Sequence, residues 1–114
     1  MYSNMISLKT ILSEISFETY FVQIVIKMKT DYNFTEIYNQ IRGIRDVVVV
    51  KVIDTDKLDA ASDEYNKYTL LEMKFISEGD AVKTIKTIKH EALKIPGLIQ
   101  FYVRTKTLLK IRNY

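Results

Sequence analysis

The most restrictive feature of this chain is a pattern that occurs twice: an alternating strand, an amphipathic helix, a short turn with glycine and a second strand. In the first copy, Tyr20–Lys29 (YFVQIVIKMK) puts Val22, Ile24, Ile26 and Met28 on one side and Phe21, Gln23, Val25, Lys27 and Lys29 on the other. A period of two belongs to a strand with one face toward a core. Asn33 with Glu36 three residues later is a capping-box signal. Phe34, Ile37, Ile41 and Ile44 then recur at helical spacing and share one face. Gly43 is placed to end that helix in the left-handed conformation. Asp46–Asp54 contains VVVVKVI, a β-branched run expected to be a strand buried on both sides or near the sheet centre.

The second copy follows a polar stretch, Asp54 to Lys67 (DTDKLDAASDEYNK), which reads as an extended hairpin loop. Tyr68–Ser77 (YTLLEMKFIS) is a third strand with Leu71, Met73 and Phe75 on one face and Leu70, Glu72, Lys74 and Ile76 on the other. Asp80 caps a helix in which Val82, Ile85, Ile88, Ala92 and Ile95 keep helical spacing, with Lys83, Lys86, His90 and Lys94 toward the opposite side. Pro96-Gly97 stops it. Leu98–Lys106 (LIQFYVRTK) alternates again, with Ile99, Phe101 and Val103 facing one way.

The element order is therefore β-α-β-β-α-β, and the turns Ile41-Arg42-Gly43-Ile44 and Ile95-Pro96-Gly97-Leu98 stand at matching places. In this order the chain resembles the split β-α-β, or ferredoxin-like, domains. The resemblance implies an α+β sandwich, a four-stranded antiparallel sheet with two helices on one face. That domain would cover residues 20–107. Residues 1–19 form an amphipathic N-terminal segment, in which Leu8, Ile11, Leu12 and Ile15 line a short helix. Residues 108–114 are a C-terminal tail, unless Thr107–Tyr114 prolongs the last strand.

Composition narrows the chemistry. The chain has 114 residues, 47% of them apolar, enough for one core without staples. It has no cysteine, which excludes disulfides, thiolate catalysis and cysteine metal sites. No apolar run approaches the ~20 residues of a membrane span, and the N-terminus lacks the basic and apolar regions of a signal peptide. A cytoplasmic protein is expected, or one associated with a virion. Residues 1–67 carry eight Lys/Arg against ten Asp/Glu, whereas residues 68–114 carry nine against four. The basic half points to an anionic partner or to a solvated face.

If both helices cover one side of the sheet, the other side is open. Alternation assigns to it Phe21, Gln23, Val25, Lys27 and Lys29, then Leu70, Glu72, Lys74 and Ile76, then Gln100, Tyr102, Arg104 and Lys106. A mixed apolar and basic face of this kind calls for a partner. The interface candidates are Leu8, Ile11, Leu12, Ile15, Phe21, Val25, Leu70, Ile76 and Tyr102, serving another copy, another protein or the chain's own N-terminal helix. The nucleic-acid alternative uses Lys27, Lys29, Lys74, Arg104 and Lys106 on phosphates. The RNA-recognition motif shares the topology and stacks bases on aromatics of its first and third strands. Here the third strand offers outward Leu70, Glu72, Lys74 and Ile76 and lacks the family's glycine-aromatic signature, which leaves Phe21 and Tyr102.

No catalytic set is legible, and no enzyme activity or cofactor is expected. His90 is the sole histidine and reads as an exposed helical residue. Gly43, Gly79 and Gly97 stand alone, so there is no phosphate loop. A small phosphatase of this topology would need an Arg–Asn loop after the first strand, and Thr30-Asp31-Tyr32-Asn33 has no Arg. Asp54, Asp56, Asp59, Asp63 and Glu64 cluster in the acidic loop, but the EF-hand pattern fails at Asp59 and Tyr65, and a solvated loop is expected. Regulatory domains of the ACT type bind amino acids at helix-strand turns, and Arg42-Gly43-Ile44-Arg45 and Ile95-Pro96-Gly97-Leu98 occupy comparable places. Finally, Ile6–Ile15 (ISLKTILSEI) resembles the openings of small proteins of T4-like bacteriophages, and Leu12-Ser13-Glu14 is similar to sites their capsid proteases cut. That likeness implies an assembly component. The reading is a non-enzymatic interaction or assembly module, with nucleic-acid binding and small-ligand regulation as the alternatives.

Overall fold

A computed structural model describes residues 17–53, 62–104 and 109–111. Strand β1 (Phe17–Lys29) is paired along its whole length with β3 (Asn66–Glu78), from Phe17 opposite Glu78 to Lys29 opposite Asn66. The other edge of β1 holds β4 (Leu98–Val103) and, nearer its start, the short β5 (Leu109–Ile111). Strand β2 (Val47–Val52) lies outside β3. The antiparallel order across the sheet is β2-β3-β1-β4, with β5 also on β1. Helix α1 (Phe34–Arg42) joins β1 to β2, and α2 (Ala81–Ala92) joins β3 to β4.

The alternation in β1 sets the layers. Val22, Ile24, Ile26 and Met28 are all buried in one cluster with Leu71, Met73 and Phe75 of β3, Phe101 of β4, Ile37 and Ile41 of α1, and Ile85, Ile88 and Ala92 of α2. Both helices therefore lie on the same side of the sheet. Each of these large apolar side chains contributes ~1.5–3 kcal/mol on burial, which fixes the face and the register together. Caps support the helices locally: the Asn33 side chain accepts from the Glu36 N–H at 3.2 Å, and Asp80 accepts from Val82 and Lys83 at 3.0 and 3.3 Å.

Several sequence expectations are corrected. The valine run of β2 is at the sheet edge, not its centre: Val50 is buried, but Val48, Val49 and Val52 are exposed. Its β-branched residues report strand propensity rather than burial. The register slips at Val48 between Val47 and Val49, and the Tyr38 hydroxyl donates to the Val50 carbonyl at 2.5 Å. A bulge and a covering side chain both blunt an edge against pairing with other strands. In β4 a second slip takes the register from Lys27 opposite Gln100 to Met28 opposite Leu98. Ile99 is thereby turned outward, and Leu98 takes the buried place assigned to it. In α2 the buried stripe begins at Ala81, and Val82 is exposed.

The backbone reversals also differ. Gly43 stays right-handed (φ −86°), and its N–H bonds back to Asn39 and Gln40. The left-handed step falls on Asp46 (φ 74°), whose carbonyl accepts from the Ile76 N–H at 2.9 Å and so ties the turn to β3. Aspartate tolerates that region better than most side chains. Part of the expected tail is a strand: Leu109–Ile111 pairs with Phe21–Thr19, offset by three residues from the register of β4. The N-terminal helix expected on Leu8, Ile11, Leu12 and Ile15 lies outside the described residues, as do Asp54, Asp56, Asp59 and Lys106. No helix among the described residues is long and apolar enough to cross a membrane.

Two substitutions test this packing. Gly97 has φ 89°, and a Cβ there would sit 2.4 Å from Cγ of Tyr32. Gly97→Ala is expected to lower the unfolding free energy by about 1–3 kcal/mol in urea melts. Adding Tyr32→Ala should recover only part of the loss, because its Cβ stays 2.8 Å from the new one and the φ cost remains. Thr69 is buried on the core face, opposite Ile26, and its hydroxyl finds no partner. Thr69→Val is expected to be neutral or to stabilise by up to ~1 kcal/mol, and a clear loss in the same melts would mean that the hydroxyl is bonded in solution.

Candidate interaction surface

The sheet face away from the helices is built by the odd-numbered residues of β1 and their register partners. Phe21 is opposite Lys74, Gln23 opposite Glu72, Val25 opposite both Leu70 and Tyr102, and Lys27 opposite both Tyr68 and Gln100. On the outer strand, Val49 is opposite Lys74 and Lys51 opposite Glu72. These pairs stand close enough to interact across strands. The structure thus gathers Phe21, Val25, Leu70, Ile76 and Tyr102 with Lys27, Lys29, Lys74 and Arg104 on one surface.

Their availability differs. Tyr102 is 53% exposed, and Phe21, Val25 and Ile76 are half-buried. Leu70 is only 7% exposed, so it forms the floor of the surface and offers a partner little contact. Lys29, Lys74 and Arg104 are exposed. The Lys27 ammonium lies 5.7 Å from the centroid of the Tyr68 ring, a cation–π distance.

Sequence reasoning missed three members of this face. Tyr68 has the same parity as Leu70 and Glu72, so one further step of the alternation finds it, and the third strand does present an aromatic. Val49 and Lys51 became visible only once β2 was placed at the edge. Phe21, Val49, Lys51, Glu72 and Lys74 enclose a depression of about 300 Å³. Lys27, Lys29, Lys51, Lys74 and Arg104 stand here against Glu72 and Glu78, so the face is basic around an apolar middle.

At one end of the face the described part of the acidic loop is fastened to the turn after β1. The Thr30 hydroxyl donates to the Glu64 carbonyl and the Thr30 N–H to the Tyr65 carbonyl, at 2.5 and 3.0 Å. The Asp63 carboxylate accepts from the N–H groups of Tyr65 and Asn66, both at 2.8 Å. The Asn66 and Tyr65 bonds hold its carboxyl below its ordinary value, and nearby Lys27 acts in the same direction. Among the described residues, no group of three His, Cys, Asp or Glu is placed to hold a metal ion.

The helix side carries the other singled-out residues. Lys83, Lys86 and His90 are exposed along α2, and Lys94 is exposed in the turn after it. Lys94 pairs with Glu91 at 2.8 Å, and that hydrogen bond and charge hold the Glu91 carboxyl below its usual value. Gly43, Ile44 and Arg45 meet Ile95 around an open depression of about 400 Å³ at the helix ends, with the Glu91–Lys94 pair on its rim. The two helix-strand turns are thus neighbours there, but Pro96, Gly97 and Leu98 do not line it.

No protein-family model matches the chain, and no curated protein matches it.

The Asp63 turn gives a pH signature. A carboxyl lowered in the folded state contributes stability above its unfolded pKa, ~3.9, and loses it as pH falls through the folded value. An NMR titration is expected to place the Asp63 midpoint below the ordinary Asp value. Asp63→Ala should make acid unfolding shallower in that window, and an unchanged acid limb would count against the turn.

Proposed function

We propose that this protein is a non-enzymatic interaction module of the split β-α-β (ferredoxin-like) layout, docking on a larger partner through its open sheet face. The alternating element order and the strand order β2-β3-β1-β4 support the layout. The observation that carries the docking reading is the composition of that face. Exposed Tyr102 and half-buried Phe21 and Val25 lie uncovered by either helix, inside a rim of Lys27, Lys51, Lys74 and Arg104. Apolar surface of this kind is retained where something binds it. The likeness of Ile6–Ile15 to the openings of small phage proteins agrees with a place in an assembly.

Self-association through the same face is the second reading, since the apolar row also suits another copy. Charge favours a foreign partner. Two copies packed face to face would oppose Lys27, Lys51, Lys74 and Arg104 to one another, whereas an anionic partner would be attracted to them. The two readings have opposite salt dependence. Self-association is expected to strengthen as salt screens the repulsion, and docking on an anionic partner to weaken.

The test is a photo-cross-linking residue at Tyr102, with one at exposed Val82 on the helix side as control. Adducts in an extract of the source cells are expected at Tyr102 and not at Val82. Adducts at multiples of the 13.4 kDa chain would favour self-association, and light scattering at low and high salt would then have to show a mass that rises with salt. No adduct at Tyr102, or equal yields at both positions, would overturn docking by the open face.

A further inference from the structure

We propose that the partner of the open face is a single-stranded nucleic acid, with bases stacked on Tyr102, Phe21 and Tyr68 and phosphates held by the neighbouring basic side chains. This rests on the docking reading above and adds the partner's chemistry. Three strands each supply one aromatic, and every ring has a cation beside it. Phe21 is opposite Lys74, the Lys27 ammonium stands over Tyr68, and Arg104 lies two residues beyond Tyr102 on the same side of β4. Rings for base stacking and cations for the backbone are the two elements of single-strand binding surfaces.

The helix side provides a contrast. Lys83, Lys86 and Lys89 on the exposed side of α2 make as basic a stripe, but no phenylalanine, tyrosine or tryptophan lies among them on that helix. Solubility alone explains such a stripe. It does not explain rings left on a sheet face between cations, where threonine would also suit the strand. An acidic protein would also bury rings of this kind, so the ring spacing and an acidic polymer as control separate the two.

Spacing selects the strandedness. Tyr102 is opposite Val25, four residues from Phe21, and Tyr68 is opposite Lys27, two residues farther along β1. With ~3.3 Å per residue and ~4.8 Å between strands, neighbouring rings are roughly 12–14 Å apart. That is several times the ~3.4 Å step of bases stacked in a duplex strand, so only an unstacked strand can bring a base to each ring. A flat sheet also cannot enter a groove as a helix or a two-stranded ribbon does. The depression of about 300 Å³ beside Phe21, with Lys51 and Lys74 on its walls, is at the lower end of small-ligand pockets and is placed for one base and its phosphate. Stacking on rings without a set of base-edge contacts implies weak sequence preference.

Fluorescence anisotropy of labelled single-stranded DNA and RNA oligonucleotides with the full chain tests this. Binding is expected at about 50 mM salt, falling with a log–log slope near −3 for roughly four phosphate contacts. Tyr102→Ala should weaken it by roughly tenfold or more, consistent with loss of one stacked base. Lys74→Gln should flatten the slope by ~0.7, and Lys86→Gln on α2 should change nothing. Circular dichroism melts confirm that each variant is folded, and Arg104→Gln is a second probe of the same site if Tyr102→Ala is not. No binding of either oligonucleotide, or binding lost with Lys86→Gln and not with Tyr102→Ala, overturns the proposal. Polyglutamate binding as tightly with the same variant pattern would assign the face to an acidic protein instead. If oligonucleotides fail while the cross-linker at Tyr102 still traps a protein, the nucleic-acid inference falls and docking stands; if both fail, both fall.

Discussion

The structure depends on the exclusion of water from one side of β1. Val22, Ile24, Ile26 and Met28 are all at or near zero exposure, and the strand that carries them is paired on both edges. A one-residue slip would send all four to the open face and bring Gln23 and Lys27 into the core, a loss of several kcal/mol. The register with β3 and β4 is therefore held by burial, and the backbone hydrogen bonds follow from it. Both helices settle on the same side because that is the only side offering their isoleucines a dry surface.

Departures from regularity occur where this frame has to be joined or ended. Asp46 turns the chain from α1 into β2 and hooks onto β3 through its carbonyl. Gly97 turns it from α2 into β4, lies directly under Tyr32, and gives its carbonyl to the Lys29 N–H at 2.9 Å. Bulges at Val48 and Ile99 fall in the two outer strands, where an added residue costs one ladder position and no core contact. At β2 the bulge and the Tyr38 hydroxyl together make the edge a poor template for another strand. The exposed valine-rich strand is thereby less suited to extending the sheet.

That face owes its character to the same strand. In the middle of β1 the residues that do not enter the core are Phe21, Gln23, Val25 and Lys27, and each is half-buried between the flanking strands. Half-burial suits a docking surface: the side chains are held in place by cross-strand contacts, yet keep area to give up. Leu70 beneath them stiffens the surface without taking part. The cations stand toward the outside, where they stay hydrated.

Much of this was determined by the sequence alone. The alternation in β1 and β3, the caps at Asn33 and Asp80, and the isoleucine stripes of both helices are local signals, and local energetics enforce them. The core residues Val22, Ile24, Ile26, Met28, Leu71, Met73 and Phe75 could be read directly. Periodicity tells which residues share a face, but strand order and register come from contacts distant in sequence. Only the tertiary structure could put the valine run at an edge, turn Ile99 outward in favour of Leu98, bury Ala81 in place of Val82, and move the left-handed step from Gly43 to Asp46. It also brought Lys51 and Val49 beside Phe21, because β2 is joined to that surface through β3 and not through its own neighbours in the chain. Tyr68 belongs to the first group, since its parity was already written in the strand.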